Sequence, residues 1–180
     1  MNAFTQPLPA VFFDRDGVIN QSPGAGYVLS WDEFQLQNGI SDILQVVHNK
    51  GYKSIVVTSQ RCVGKGMISE AEINRIHQLM QSELAKTGPI FDGIYTFTGQ
   101  AKDADWEKPN PQMLFIAARD HHLDLKRSIL IGDRDRDIQM GINGKLRNTI
   151  RIRGDAEITV TPSHVVDDLP QAQAILEVIL

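Results

Sequence analysis

Residues 11–20 read VFFDRDGVIN, from Val11 to Asn20. Ala10 to Phe13 is a short apolar run that empties into charged residues and a glycine, the pattern of a buried strand ending in a functional loop. The strand therefore stops at Asp14. Asp14 and Asp16 flank Arg15, so in an extended loop their carboxylates can converge on one ligand. Gly17 then lets the backbone turn sharply.

Working outward, residues 20–34 hold Pro23, Gly24, Gly26, Tyr27 and Trp31 without helical periodicity and read as a loop or small flap over the strand end. Ile40, Ile43, Leu44 and Val47 recur at helical spacing, with Gly51 as the stop signal. Ser54 to Val57 is a second buried strand. Ser69 and Glu72 form a reciprocal capping pattern ahead of Ile73, Ile76, Met80 and Leu84, a second helix closing near Gly88. Gly93 to Phe97 is a third strand, Asn110-Pro111 opens a helix through Met113, Leu114 and Ala117, and Ser128 to Ile131 is a fourth strand. A short helix over Asp135 to Ile142, an extended Thr149 to Ile152, another extended piece at Val165-Val166 and a helix over Leu169 to Leu180 complete the chain. Alternating strands and helices predict one α/β domain over residues 1–180, Rossmann-like, its parallel sheet covered on both faces. Ligands of such sheets lie at the carboxyl ends of the strands.

The chemically suggestive residues all follow strands. A carboxylate can accept a phosphoryl group and divide hydrolysis into two displacements, provided a partner protonates the leaving alkoxide and later deprotonates water. Asp14 is read as the nucleophile and Asp16 as the acid/base. Thr58 and Ser59 follow strand two, where hydroxyls and backbone N–H groups can hold non-bridging phosphoryl oxygens. Lys108, before Pro109, can neutralise phosphate charge while fixing the nucleophile. After strand four, IGDRDRD supplies Asp133, Asp135 and Asp137, an oxygen-rich cluster suited to Mg2+. Two carboxylates about 4 Å apart repel by roughly 4 kcal/mol at an effective dielectric near 20. A cation is therefore required before an anionic phosphate can join Asp14 and Asp133. Asp133 ranks first among the three, because Asp135 and Asp137 could equally cap the following helix.

These four motifs, in this order across residues 11–137, resemble the haloacid dehalogenase superfamily of phosphotransferases. The resemblance implies that Thr58 and Lys108 bind the phosphoryl group, and that Mg2+ takes an Asp14 oxygen, the Asp16 backbone carbonyl and Asp133, with Asp137 a further candidate. The FFDRDGVIN start, the Gly26-Tyr27-Val28 triplet and the TSQ…GKG stretch are similar to the small histidinol-phosphate and heptose-bisphosphate phosphatases, a capless branch. Three departures stand out. Residues 98–107, TGQAKDADWE, lack the Cys and His of the zinc loop that many such relatives carry. Glu107 stands where heptose-bisphosphate enzymes place an arginine for the second phosphate. Arg61 and Cys62 follow Thr58-Ser59-Gln60, moving a positive charge toward the mouth.

No insertion after Gly17 or after Thr58 is long enough for a separate cap domain, so the site is expected to be open. Specificity then falls to the flap at 20–34, the Arg61 to Gly66 loop and residues 98–107, with Ser59, Gln60, Arg61, Lys65 and Arg134 as candidate substrate contacts. The five histidines, 48, 77, 121, 122 and 164, have no metal-ligand spacing and read as structural or surface residues. Cys62, the single cysteine, excludes an internal disulfide and reads as a small semi-buried residue.

A net charge of -4 and pI near 5.7 argue against a broad nucleic-acid surface. No leader pattern or apolar run of about 18 residues is evident, which predicts a cytoplasmic protein with a small phosphorylated substrate and no membrane partner. No oligomeric order follows from the pattern. Receiver-type signalling modules share the acidic cluster, Thr/Ser and Lys but lack an acid/base Asp two positions after the phosphoacceptor. An idle relative would have lost a motif residue. The reading is a phosphomonoesterase of the sugar-phosphate or histidinol-phosphate type, with nucleotides or a phosphorylated macromolecule as alternative substrates.

Overall fold

The computed structural model describes residues 6–180. Six parallel strands, β1 (Ala10–Phe13), β2 (Lys53–Ser59), β3 (Gly93–Phe97), β4 (Ile129–Gly132), β5 (Asn148–Ile152) and β6 (His164–Val166), form one sheet in the order β3-β2-β1-β4-β5-β6. The order reverses beside β1. A crevice opens there because the crossovers on either side leave in opposite directions.

Alternation along β1 explains how both faces are covered. Val11 and Phe13 pack toward α1 (Ile40–Asn49), α2 (Glu70–Leu84) and α5 (Leu169–Ile179), whereas Ala10 and Phe12 pack toward α3 (Gln112–His121) and α4 (Asp135–Asn143). All four residues are inaccessible to solvent. Burial on both faces is why β1 reads as an unbroken apolar run rather than an alternating one.

Most element boundaries agree with the sequence pattern to within a residue or two, and three differ informatively. β2 runs on through Thr58 and Ser59, which pair with Thr96 and Phe97 of β3. The ladder continues past the apolar signal, so Thr58 is the penultimate residue of the strand rather than the first after it. At the α2 entrance only half of the reciprocal cap forms: Ser69 Oγ accepts from the Glu72 N–H at 3.1 Å, while the Glu72 carboxylate pairs with Arg75. The 20–34 segment contains a short 3-10 turn at Trp31–Glu33, and Trp31 stacks on Phe34 at 5.1 Å. Phe34 itself enters the core.

Between β1 and α1, and between β2 and α3, no further sheet or helical domain intervenes among the described residues beyond α2, β3 and short 3-10 turns. No described helix is long and apolar enough to cross a membrane.

Candidate active site

Asp14 is placed by the last hydrogen bond of β1: its N–H donates to the Ile131 carbonyl of β4 at 3.0 Å. The pleat turns its side chain to the α3/α4 face, where Lys108 and Asp137 wait. Lys108 Nζ donates to Asp14 Oδ1 and to Asp137 Oδ1, both at 2.7 Å, and all three groups are buried. Carboxylate oxygens of Asp14, Asp133 and Asp137 lie within 4.8 Å of one another. Asp133 follows β4 immediately, so the two strands at the reversal each deliver one acid.

Burial pushes the Asp14 carboxyl up to about 6, with Asp137 adding repulsion that Lys108 only partly offsets. Burial likewise lifts Asp133 to about 7, reinforced by Asp14 and Asp137 and opposed by Arg134 and Arg151. Burial would lower the Lys108 ammonium, but Asp137 and Asp14 overcome that and raise it. Acids that resist ionisation when crowded and desolvated are a donor set that a divalent cation relieves. The residues therefore fit Mg2+. Gly17 shapes the same pocket: its φ is +86°, and a Cβ there would overlap Asp133 Oδ2.

Asp16 has the opposite environment. Arg15 Nη2 donates to Oδ1 at 2.8 Å and Arg15 Nε at 3.1 Å, Asn20 Nδ2 reaches Oδ1 at 3.0 Å, and Gln60 Nε2 reaches Oδ2 at 2.9 Å. Burial would raise its pKa, but the Arg15 charge and these hydrogen bonds bring it below the ordinary carboxylate value. Arg15 is wholly buried and is itself held by Gln60 Oε1 at 3.1 Å, His77 Nε2 at 3.3 Å and the Phe34 ring, 5.8 Å from its guanidinium carbon.

The remaining sequence candidates divide into those at the centre and those at the rim. Thr58 is buried and accepts from Gln60 Nε2 at 2.9 Å. Gln60, expected to meet substrate, is instead fully buried with its amide spent on Asp16, Thr58 and Arg15, because the chain turns inward after β2. Ser59 and Arg134 border a small cleft with Asp16, Asp133, Tyr27 and Arg136. Arg61 forms an ion pair with Glu107, and Lys65 lies over the Tyr27 ring with its ammonium 3.0 Å from the hydroxyl. Asp137 both faces Lys108 and caps the first turn of α4, accepting from the Arg134 N–H at 3.0 Å. Asp135 points away from the cluster to Thr159, whose N–H reaches it at 2.8 Å.

Several contributors carried no signal in the sequence. Arg15 and Asn20 reach Asp16 from within the same loop, whereas His77 touches Arg15 only because α2 packs against that loop. His77, which the sequence leaves as a structural or surface residue, is buried in α2. Cys62 is fully buried rather than semi-buried. In the 98–107 segment, Asp103 organises the loop, accepting from Thr98 N at 2.7 Å and Thr98 Oγ1 at 2.6 Å, and from Gln100 N at 3.1 Å.

A family model described as HAD-hydrolase-like matches residues 105–172. D-glycero-alpha-D-manno-heptose-1,7-bisphosphate 7-phosphatase of Burkholderia mallei is 36% identical over 167 residues, covering 87% of each chain. D-glycero-beta-D-manno-heptose-1,7-bisphosphate 7-phosphatase of Escherichia coli K12 is 31% identical over 181 residues, covering 92% of this chain and 93% of that one. D,D-heptose 1,7-bisphosphate phosphatase from B. bronchiseptica, solved with magnesium and phosphate, superimposes with a TM-score of 0.81 at 25% identity, covering 94% and 98% of the two chains. Fold, motif order and these likenesses define a phosphoric monoester hydrolase of the haloacid dehalogenase type. Within that class, the chain belongs to the same family as the heptose-1,7-bisphosphate 7-phosphatases.

Proposed function

We propose that this chain hydrolyses the phosphate monoester of a small sugar phosphate, with Mg2+, through an aspartyl-phosphate on Asp14. The observation that carries the reading is the Asp14 carboxylate, pinned by Lys108 at 2.7 Å and grouped with Asp133 and Asp137 at the end of the central strand.

Asp14, Asp133 and Asp137, with the Asp16 backbone carbonyl, would hold the metal, which supplies charge neutralisation between the carboxylates and the phosphoryl oxygens. Lys108 fixes Asp14 Oδ1, leaving the other oxygen to attack phosphorus. The new Asp14 oxygen–phosphorus bond forms as the bond to the sugar oxygen breaks, and Asp16 delivers a proton to that leaving oxygen. Water then attacks phosphorus, Asp16 takes its proton, and the Asp14 carboxylate is regenerated. The arrangement around Asp16 holds it ionised, which suits the second step. The first requires it to release Arg15 and carry a proton. Thr58 and backbone N–H groups at the end of β2 would steady the non-bridging oxygens.

The sugar-phosphate class is supported by relatives named as heptose-1,7-bisphosphate phosphatases. The exposed Arg61–Glu107 pair spends a cation that could otherwise meet a second phosphate, which favours substrates carrying one phosphate. A panel of sugar mono- and bisphosphates, histidinol phosphate, nucleotides and p-nitrophenyl phosphate, assayed with Mg2+ and with chelator, tests this. Metal-dependent release concentrated on sugar phosphates is expected. Activity that survives chelation, or that is confined to nucleotides, would contradict it.

A further inference from the structure

Arg151 sits inside β5, between Ile150 and Ile152, and its side chain is completely buried. Its Nε, Nη1 and Nη2 have no hydrogen-bond acceptor among the described residues. A buried guanidinium stays protonated and is among the least tolerable groups to leave unpaired. Something nearby must offset its charge.

Register identifies what that is. Arg151 pairs with Gly132 on β4, and residues in register on neighbouring parallel strands share a face. Thr149, two positions earlier, confirms the α4 side, because its methyl packs where a Cβ of Gly141 would stand. On that same face, Asp137 occupies the space above Gly132 that any side chain there would fill. The guanidinium therefore lies behind the turn Asp133–Asp137. That turn has an orphan of its own: Asp135 Oδ1 is buried and receives no hydrogen bond, although Oδ2 is held by Thr159. Burial pulls the Arg151 pKa below the ordinary arginine value, and Asp133, Asp135 and Asp137, in that order, draw it back up. The positive charge and the acidic turn thus compensate one another through the field, without contact between hydrogen-bonding atoms.

We propose that Arg151 is a resident counter-charge of the acidic centre, stabilising the turn in the metal-free protein and, by the same interaction, weakening its affinity for Mg2+. The inference rests on the reading of Asp14, Asp133 and Asp137 as the metal site. Linkage makes it quantitative: whatever the guanidinium contributes to the metal-free turn opposes the arrival of a second cation. Arg151 is thus a positioning residue, set behind the carboxylates rather than among the reacting atoms.

The test is calorimetric titration of Mg2+ into the full chain, with thermal unfolding measured with and without Mg2+. Arg151→Met should bind Mg2+ tighter by on the order of tenfold and show a larger Mg2+-induced rise in Tm than the natural protein. Arg151→Lys, which keeps the charge, should restore the natural Kd. Arg151→Gln repeats the neutral substitution with a hydrogen-bonding side chain if the methionine variant does not fold. Neutral variants that fold and bind Mg2+ equally or more weakly overturn the proposal, as does Arg151→Lys tightening binding as much as Arg151→Met. A natural protein that binds no Mg2+ would instead remove the metal site on which the proposal stands.

Discussion

Asp14 and Asp16 are two positions apart and electrostatically opposite. Asp14 shares a buried pocket with two more acids and is pushed up to about 6, whereas Asp16 is wrapped by Arg15, Asn20 and Gln60 and drawn down. Environments that split neighbouring carboxylates in this way allow one to be a metal-bound nucleophile and the other a proton carrier. Asp16→Asn should lower kcat by about 10²- to 10⁴-fold while Mg2+ binding persists, measured by steady-state kinetics and titration. Gly17→Ala should weaken Mg2+ binding and turnover together, since the new methyl meets Asp133 Oδ2 and a φ of +86° strains any side chain; unchanged Mg2+ affinity would contradict that placement. Asp14, Asp16, Lys108 and Asp133 were readable because each is a charged residue directly after a strand or before a helix, at motif spacing. Arg15, Gln60, His77 and Arg151 were not, because what they do depends on which element folds against them.

At the scale of elements, α2 supports the loop after β1 through the His77–Arg15 contact. Its Ser69 cap and its apolar face at Ile73, Ile76, Met80 and Leu84 were plain in the pattern, but His77 on the same buried face was not distinguishable from a surface histidine. Burial, then the nearby Arg15 charge, hold its imidazole neutral, down to about 3. Unfolded, the same group titrates near 6.5, so between those values the unfolded chain binds more protons. The stability this residue contributes is complete above 6.5 and is lost progressively as pH falls toward 3. His77→Gln should therefore lose less stability than the natural protein between about pH 7 and about pH 5, as read from urea denaturation at both values. An equal loss would mean that His77 is not the group responsible. The strand limits misjudged in the sequence have a similar origin: Thr58 and Ser59 look like loop residues by polarity, and it is the β3 ladder, a non-local pairing, that keeps them extended.

Across the whole molecule, the strand order β3-β2-β1-β4-β5-β6 brings Asp14 and Asp133 to the reversal point from residues far apart in sequence. Alternating apolar segments made a parallel α/β sheet foreseeable, but not that β5 and β6 extend it beyond β4 with a buried arginine in the penultimate position of β5. Arg61, after β2, and Glu107, beside Lys108, form an exposed ion pair. Glu107→Gln should free Arg61 and lower KM for sugar bisphosphates by about two- to fivefold, with kcat on p-nitrophenyl phosphate unchanged; no change in KM would remove the pair from specificity. The central claim concerns Asp14. Rapid acid quench during turnover of a labelled sugar phosphate, followed by borohydride reduction and peptide mapping, should locate the phosphoryl group on Asp14 and convert that residue to homoserine. Asp14→Asn should give neither label nor turnover while keeping its fold. Label on another residue, or full turnover by Asp14→Asn, would contradict the mechanism.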